Sequence, residues 1–144
     1  MKEYQKLIDQ VKHHEGLVLH GYTDSRGFLT IGYGRLIDPE LGGGITEGEA
    51  ETLLLNDLSK AILEARQFDW YDGLNEPRKA VIVSMIFNLG FPRFSKFVNT
   101  IGFLEEGLFE EASEEMLNSK WAHQVGNRAI MLSRQMATGE WQED

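Results

Sequence analysis

The stretch from Glu15 to Gly34, EGLVLHGYTDSRGFLTIGYG, holds the residues whose types and spacing could do chemistry. Glu15 precedes a glycine, Asp24 lies in a run of turn formers, and Thr30 stands on the segment that returns from that turn. A carboxyl group that can give a proton, a second carboxyl that can serve as base or counter-charge, and a hydroxyl that can hold a water are the parts of an acid-assisted hydrolysis.

The elements that must position them follow from periodicity. Tyr4, Leu7, Ile8 and Val11 recur at the spacing of one helical face. Gly16 stops that helix and leaves Glu15 at its C-terminus, where the partial negative charge of the last carbonyls disfavours an ionised carboxylate and suits a general acid. Leu17–Tyr22 and Phe28–Gly34 read as two strands joined by Thr23-Asp24-Ser25-Arg26-Gly27, which puts Asp24 at a hairpin tip. On the returning strand Leu29, Ile31 and Tyr33 share one face, and Phe28, Thr30, Gly32 and Gly34 the other. Gly32 and Gly34 leave room beside the Thr30 hydroxyl for a flat ligand such as a sugar ring.

Composition narrows the class. The chain has 144 residues, 42% of them hydrophobic, enough for one domain, or one domain of two lobes, with a proper core. It has no cysteine, so disulfides and thiolate metal sites are excluded. The formal net charge is −9, with acids clustered at Glu105, Glu106, Glu110, Glu111, Glu114 and Glu115, which argues against nucleic acid or anionic lipid as a partner. The N-terminus has no long apolar run after its first lysine, and no stretch reaches the length of a membrane span. The expectation is a protein made and folded in a cytoplasm, without a membrane anchor. His13, His14 and His20 lie near Glu15, but adjacent histidines point to different sides of a helix and no HExxH spacing is present, so no metal is expected.

Beyond the hairpin, Gly42-Gly43-Gly44 reads as a flexible segment ahead of a short third strand near Ile45. Thr46 and Glu49 form a capping box for a long helix with Ala50, Leu53, Leu54, Leu58, Ala61, Ile62 and Ala65 on one stripe. Asn75 and Pro77 start another helix, apolar nearly all round from Ala80 to Leu89, which predicts the buried centre of a helical lobe. Phe94, Phe97, Val98, Ile101 and Leu104 mark a further helix, broken at Gly107, and a glutamate-faced helix follows to about Leu117. Ser119 caps a segment holding Trp121, and Asn127 opens the last helix, which runs to Gly139.

The run of Glu15-Gly16, Asp24 and Thr30-Ile31-Gly32-Tyr33-Gly34 resembles the catalytic signature of the phage-type lysozymes. The similarity extends over almost the whole chain, through Gly44-Ile45-Thr46-Glu47-Gly48-Glu49-Ala50, Phe87-Asn88-Leu89-Gly90, Phe97-Val98-Asn99-Thr100, Ser119-Lys120-Trp121, Asn127-Arg128-Ala129 and Thr138-Gly139-Glu140-Trp141. The resemblance implies a lysozyme-like α+β fold, predominantly helical. A hairpin lobe (about 13–46) is joined by a helix (about 47–66) to a helical lobe (about 67–144), on which the N-terminal helix 2–12 packs. It implies a bacteriolytic muramidase acting on peptidoglycan without a cofactor, as a monomer, released at phage lysis through a holin-type pore from the host cytoplasm to the wall.

In residue terms, the resemblance makes Glu15 the general acid, Asp24 the carboxylate that activates water or stabilises the oxocarbenium, and Thr30 the holder of the water. It places Asn88 and Phe97 with Gly32 and Gly34 in substrate binding, and Arg128 as a cation approaching the catalytic glutamate. Arg35 stands where similar enzymes usually have histidine, and Asp57 matches that histidine's acid partner. An Arg35–Asp57 pair and two solvated charges are both open. Taken singly, Asp24 is an ordinary turn aspartate, Glu15 a solvent contact at a helix end and Thr30 a β-branched filler. A lytic transglycosylase and an inactive glycan-binding module on the same fold are the rival functions, and the retained Asp24 and Thr30 argue against both.

Overall fold

Gly16 ends the first helix through the conformation that glycine alone adopts readily. In the computed structural model, which describes residues 2–143, α1 runs Gln5–Glu15 after a single 3-10 turn at Lys2–Tyr4. The φ of Gly16 is 71°, and its N–H closes on the Lys12 carbonyl at 2.9 Å. Glu15 is therefore the last helical residue.

The hairpin forms as β1 (Val18–Thr23) and β2 (Leu29–Gly32), antiparallel, with Tyr22 opposite Thr30 and Thr23 opposite Leu29. A register shift separates these pairs from Val18 opposite Gly32. The third strand is not near Ile45. It is β3, Arg35–Leu36, paired to β2 through Ile31 opposite Arg35 and Thr30 opposite Leu36. Gly32 and Gly34, at φ 72° and 74°, reverse the chain, so the strand ends at Gly32 instead of running on to Gly34. The triple glycine is held in place too, since Gly43 donates to the Asp38 carbonyl at 2.9 Å and Gly44 to the Leu36 carbonyl at 3.1 Å.

Thr46 and Glu49 make the expected reciprocal cap at the start of α2 (Glu47–Ala65). The Glu49 N–H donates to the Thr46 hydroxyl at 3.1 Å and the Thr46 N–H to the Glu49 carboxylate at 2.9 Å. Contacts divide the chain inside α2 into two compact units, one ending at Thr52 and the other beginning at Leu53. In this division α1 groups with the sheet, and its packing on the helical lobe stays an expectation.

The second unit holds α3 (Glu76–Leu89), α4 (Phe91–Phe94), α5 (Val98–Glu105), α6 (Phe109–Leu117), α7 (Lys120–Val125) and α8 (Asn127–Thr138). Asn75 caps α3 by accepting from the Arg78 N–H at 3.1 Å, with Pro77 in the first turn. The apolar run behaves as predicted: Val81, Ile82, Met85 and Ile86 are at most 2% exposed and form one core with Phe94, Met116, Leu132 and Met136. Ser119 caps α7 as expected, accepting from the Ala122 N–H at 3.1 Å, whereas Asn127 opens α8 without capping it.

Arg78 ties the two ends of this unit together. Its Nε donates to the Met136 carbonyl at 2.8 Å, its Nη2 donates to the Ala137 carbonyl at 3.1 Å, and the guanidinium lies 3.7 Å from the centre of the Phe109 ring. A cation therefore satisfies the last carbonyls of α8, where the helix dipole favours it. Arg78→Met keeps the apolar stem and loses the donors. It is expected to destabilise the protein by about 2 kcal/mol, as hydrogen bonds from a charged donor do, and urea unfolding of the variant checks this.

Candidate active site

Each sequence-predicted catalytic residue of the first unit has a definite partner. The Glu15 carboxyl packs against the backbone of Gly34, so closely that a Cβ built on Gly34 would lie 2.5 Å from Oε2 and 2.9 Å from Cδ. The place expected to be open at Gly34 is thus filled by the acid itself. Gly32 has nothing within 4 Å of its own Cβ position and keeps the room that Gly34 does not.

Asp24 turns back on the hairpin. Its Oδ1 accepts from the N–H groups of Arg26 and Phe28, each at 2.9 Å. The Phe28 N–H first, and then the Arg26 N–H and the nearby Arg26 charge, hold the Asp24 carboxyl below its usual range, so it is ionised near neutral pH. The Phe28 carbonyl accepts from the Asp24 N–H at 2.9 Å and from the Thr30 hydroxyl at 2.9 Å. One residue's backbone therefore fixes both the carboxylate and the hydroxyl. Thr30 is only 3% exposed, and with its proton committed to Phe28 its oxygen has lone pairs left to accept with.

Arg35 is engaged, though by Glu49 and not by Asp57. Its guanidinium grips that carboxylate with both nitrogens, Nη1 to Oε1 at 2.8 Å and Nη2 to Oε2 at 2.7 Å, and Nη1 also donates to the Gly44 carbonyl at 3.2 Å. Glu49 is two helical turns closer to the start of α2 than Asp57, and the early reversal into β3 brings Arg35 to that level. Asp57 makes no ion pair among the described residues. It lines a hollow of about 340 Å³ with Lys60, Glu64, Phe87 and Phe91.

In the second unit Asn88 and Phe97 meet around Trp121. The indole N–H of Trp121 donates to Asn88 Oδ1 at 3.0 Å, and Phe97 presents its ring to Trp121 edge-on with centroids 6.4 Å apart. Asn88 is exposed, so its amide N–H groups remain for a ligand. Phe97 also borders a hollow of about 260 Å³ with Thr100, Glu115, Asn118 and Ser119. Arg128 is exposed in the first turn of α8.

The family model described as phage lysozyme matches residues 12–137, a span that takes in Glu15, Asp24, Thr30 and Arg128. The chain belongs to the phage lysozyme family. It is 30% identical to "Probable T4-type lysozyme 1" of Dictyostelium discoideum, over 92% of this chain and 94% of that protein. It is also 30% identical to an "Endolysin" of Acyrthosiphon pisum secondary endosymbiont phage 1, over 82% of this chain and 78% of that one. With the "Pre-baseplate central spike protein Gp5" of Enterobacteria phage T4 it shares 25% identity over 92% of this chain, but only 28% of that much longer protein. It is a glycoside hydrolase of lysozyme type, a peptidoglycan hydrolase.

Three residues that serve these groups of the lysozyme were not singled out from sequence as parts of the site. Phe28 acts through its peptide group, which every residue carries. Trp121 was read only as a member of the segment capped by Ser119 and of a family motif. Glu49 was assigned to the helix cap alone, yet Arg35 and the Thr46 N–H together push its carboxyl down to about 2. A depressed carboxylate stabilises the fold above its ordinary value and stops doing so as pH falls from about 4.5 towards about 2. In Arg35→Gln, the Glu49 carboxyl is expected to titrate closer to 4.5 when followed by NMR, and acid unfolding to lose the step that begins there. An unchanged titration would mean that the Thr46 N–H alone holds the group down.

Proposed function

We propose that this lysozyme is a muramidase that cleaves the β-1,4 bond between N-acetylmuramic acid and N-acetylglucosamine by direct attack of water with inversion. The observation that carries this reading is that the Phe28 peptide holds both groups, its N–H donating to the Asp24 carboxylate and its carbonyl accepting the Thr30 hydroxyl proton. Two acceptors take the two O–H groups of a water and leave its lone pair to face the sugar. Thr30 is too weak an acid to serve readily as a nucleophile. Glu15 protonates the leaving oxygen, and Gly32, Asn88 and Phe97 are assigned to the glycan.

The endolysin among its relatives supports a role in phage lysis. In that role a monomer waits in the host cytoplasm, and a holin-type pore admits it to the wall. No cofactor enters the mechanism. The test is digestion of purified peptidoglycan with mass analysis of the released muropeptides. Reducing ends are expected, anhydro ends would replace this reading with a transglycosylase, and no release would replace it with a binding module. Proton NMR of a fresh digest is expected to show the α-anomer first, and a β-anomer appearing first would make Asp24 the nucleophile.

A further inference from the structure

Arg26 lies beside the Asp24 carboxylate but makes no ion pair among the described residues, in a chain whose net charge is −9. Its position is tied to that carboxylate twice. Its own N–H donates to Asp24 Oδ1 at 2.9 Å, and its guanidinium lies 5.4 Å from the ring centre of Phe28, whose N–H donates to the same oxygen. The backbone turn and the aromatic ring thus restrict a long side chain that would otherwise sweep freely through solvent. The two basic groups fixed in the first unit away from Asp24 are differently placed: Arg35 is gripped by Glu49, and Lys12 lies over the Tyr33 ring at 5.3 Å. Arg26 makes no ion pair among the described residues and is exposed.

A planar guanidinium held in that way is a receptor for a carboxylate, which it can meet with two parallel N–H donors. In peptidoglycan the carboxylates nearest the scissile bond belong to the stem peptide that hangs from muramic acid. We propose that Arg26 is a specificity-determining residue that binds a free stem-peptide carboxylate, so that the enzyme discriminates in favour of glycan strands bearing uncapped acidic stems. The inference rests on the muramidase reading above.

The test uses teichoic-acid-free peptidoglycan in two forms, untreated and with its stem carboxylates converted to amides by carbodiimide and ammonia. The wild-type enzyme is expected to show a kcat/KM roughly fivefold higher on the untreated form, the scale of one exposed but fixed charge pair. In Arg26→Gln that ratio falls towards one, with the change carried by KM. In Arg26→Lys, which keeps the charge and loses the fork, an intermediate ratio remains. A ratio unchanged in Arg26→Gln overturns the proposal. So does an equal loss on both substrates, because that would reduce Arg26 to a support of the Asp24 turn. If the wild-type enzyme releases no reducing ends from either form, the muramidase reading falls and this inference with it.

Discussion

Glu15→Gln is expected to lower turnover by roughly a thousandfold while leaving the fold and glycan binding intact. Glutamine has the shape of glutamate and can rest against the Gly34 backbone as the carboxyl does, so the site keeps its packing. What is lost is the proton, and a positioned general acid contributes about 10²–10⁴ in rate. Single-turnover release of reducing ends measures the loss, and co-sedimentation with peptidoglycan checks that binding survives. Wild-type-like lysis by the variant would end the assignment of Glu15 as the acid.

Gly34→Ala and Gly32→Ala should separate catalysis from binding. Both residues have φ values near 70°, 74° and 72°, where an alanine costs about 1–2 kcal/mol, so the two variants lose similar stability. Their surroundings differ. The new methyl at position 34 meets the end of the Glu15 side chain, which can swing aside cheaply but then no longer holds its carboxyl in place. Displacement of a reacting group by about 1 Å can cost roughly a hundredfold, so kcat of Gly34→Ala is expected to fall by about that factor. At position 32 the methyl enters open space, and if the proposed sugar site lies there the effect is expected in KM. A Gly34→Ala enzyme with unimpaired kcat would show that Glu15 does not act from its place against Gly34.

The parts of this molecule legible in the sequence are those fixed by near neighbours. Gly16 ends α1, Thr46 and Glu49 cap α2, Asn75 and Pro77 start α3, and the turn after β1 carries Asp24, because each depends on residues within a few positions. β3 was missed because period-two alternation runs on unbroken through Thr30-Ile31-Gly32-Tyr33-Gly34, and only the backbone angles of the two glycines show that the chain turns there. The partner of Arg35 depended on that turn and was lost with it. Phe28 left one usable sign: an aspartate at a turn bonds to backbone N–H groups a few residues on, so Asp24 already pointed to the peptides that follow it.

The clasp between the start of α3 and the end of α8 also sets an order of events during synthesis. Asn75 donates to the Gly139 carbonyl across 64 positions, and Arg78 reaches Met136 across 58, whereas among the described residues the side-chain hydrogen bonds of the first unit span at most 14. At roughly 5–20 residues per second the first unit can form its bonds well before α8 leaves the ribosome. α3, apolar on nearly every side, must wait for its cover. During that interval the nascent chain presents Val81, Ile82, Met85 and Ile86 to whatever holdase is at the exit, which makes α3 the segment that chaperones should bind on the ribosome.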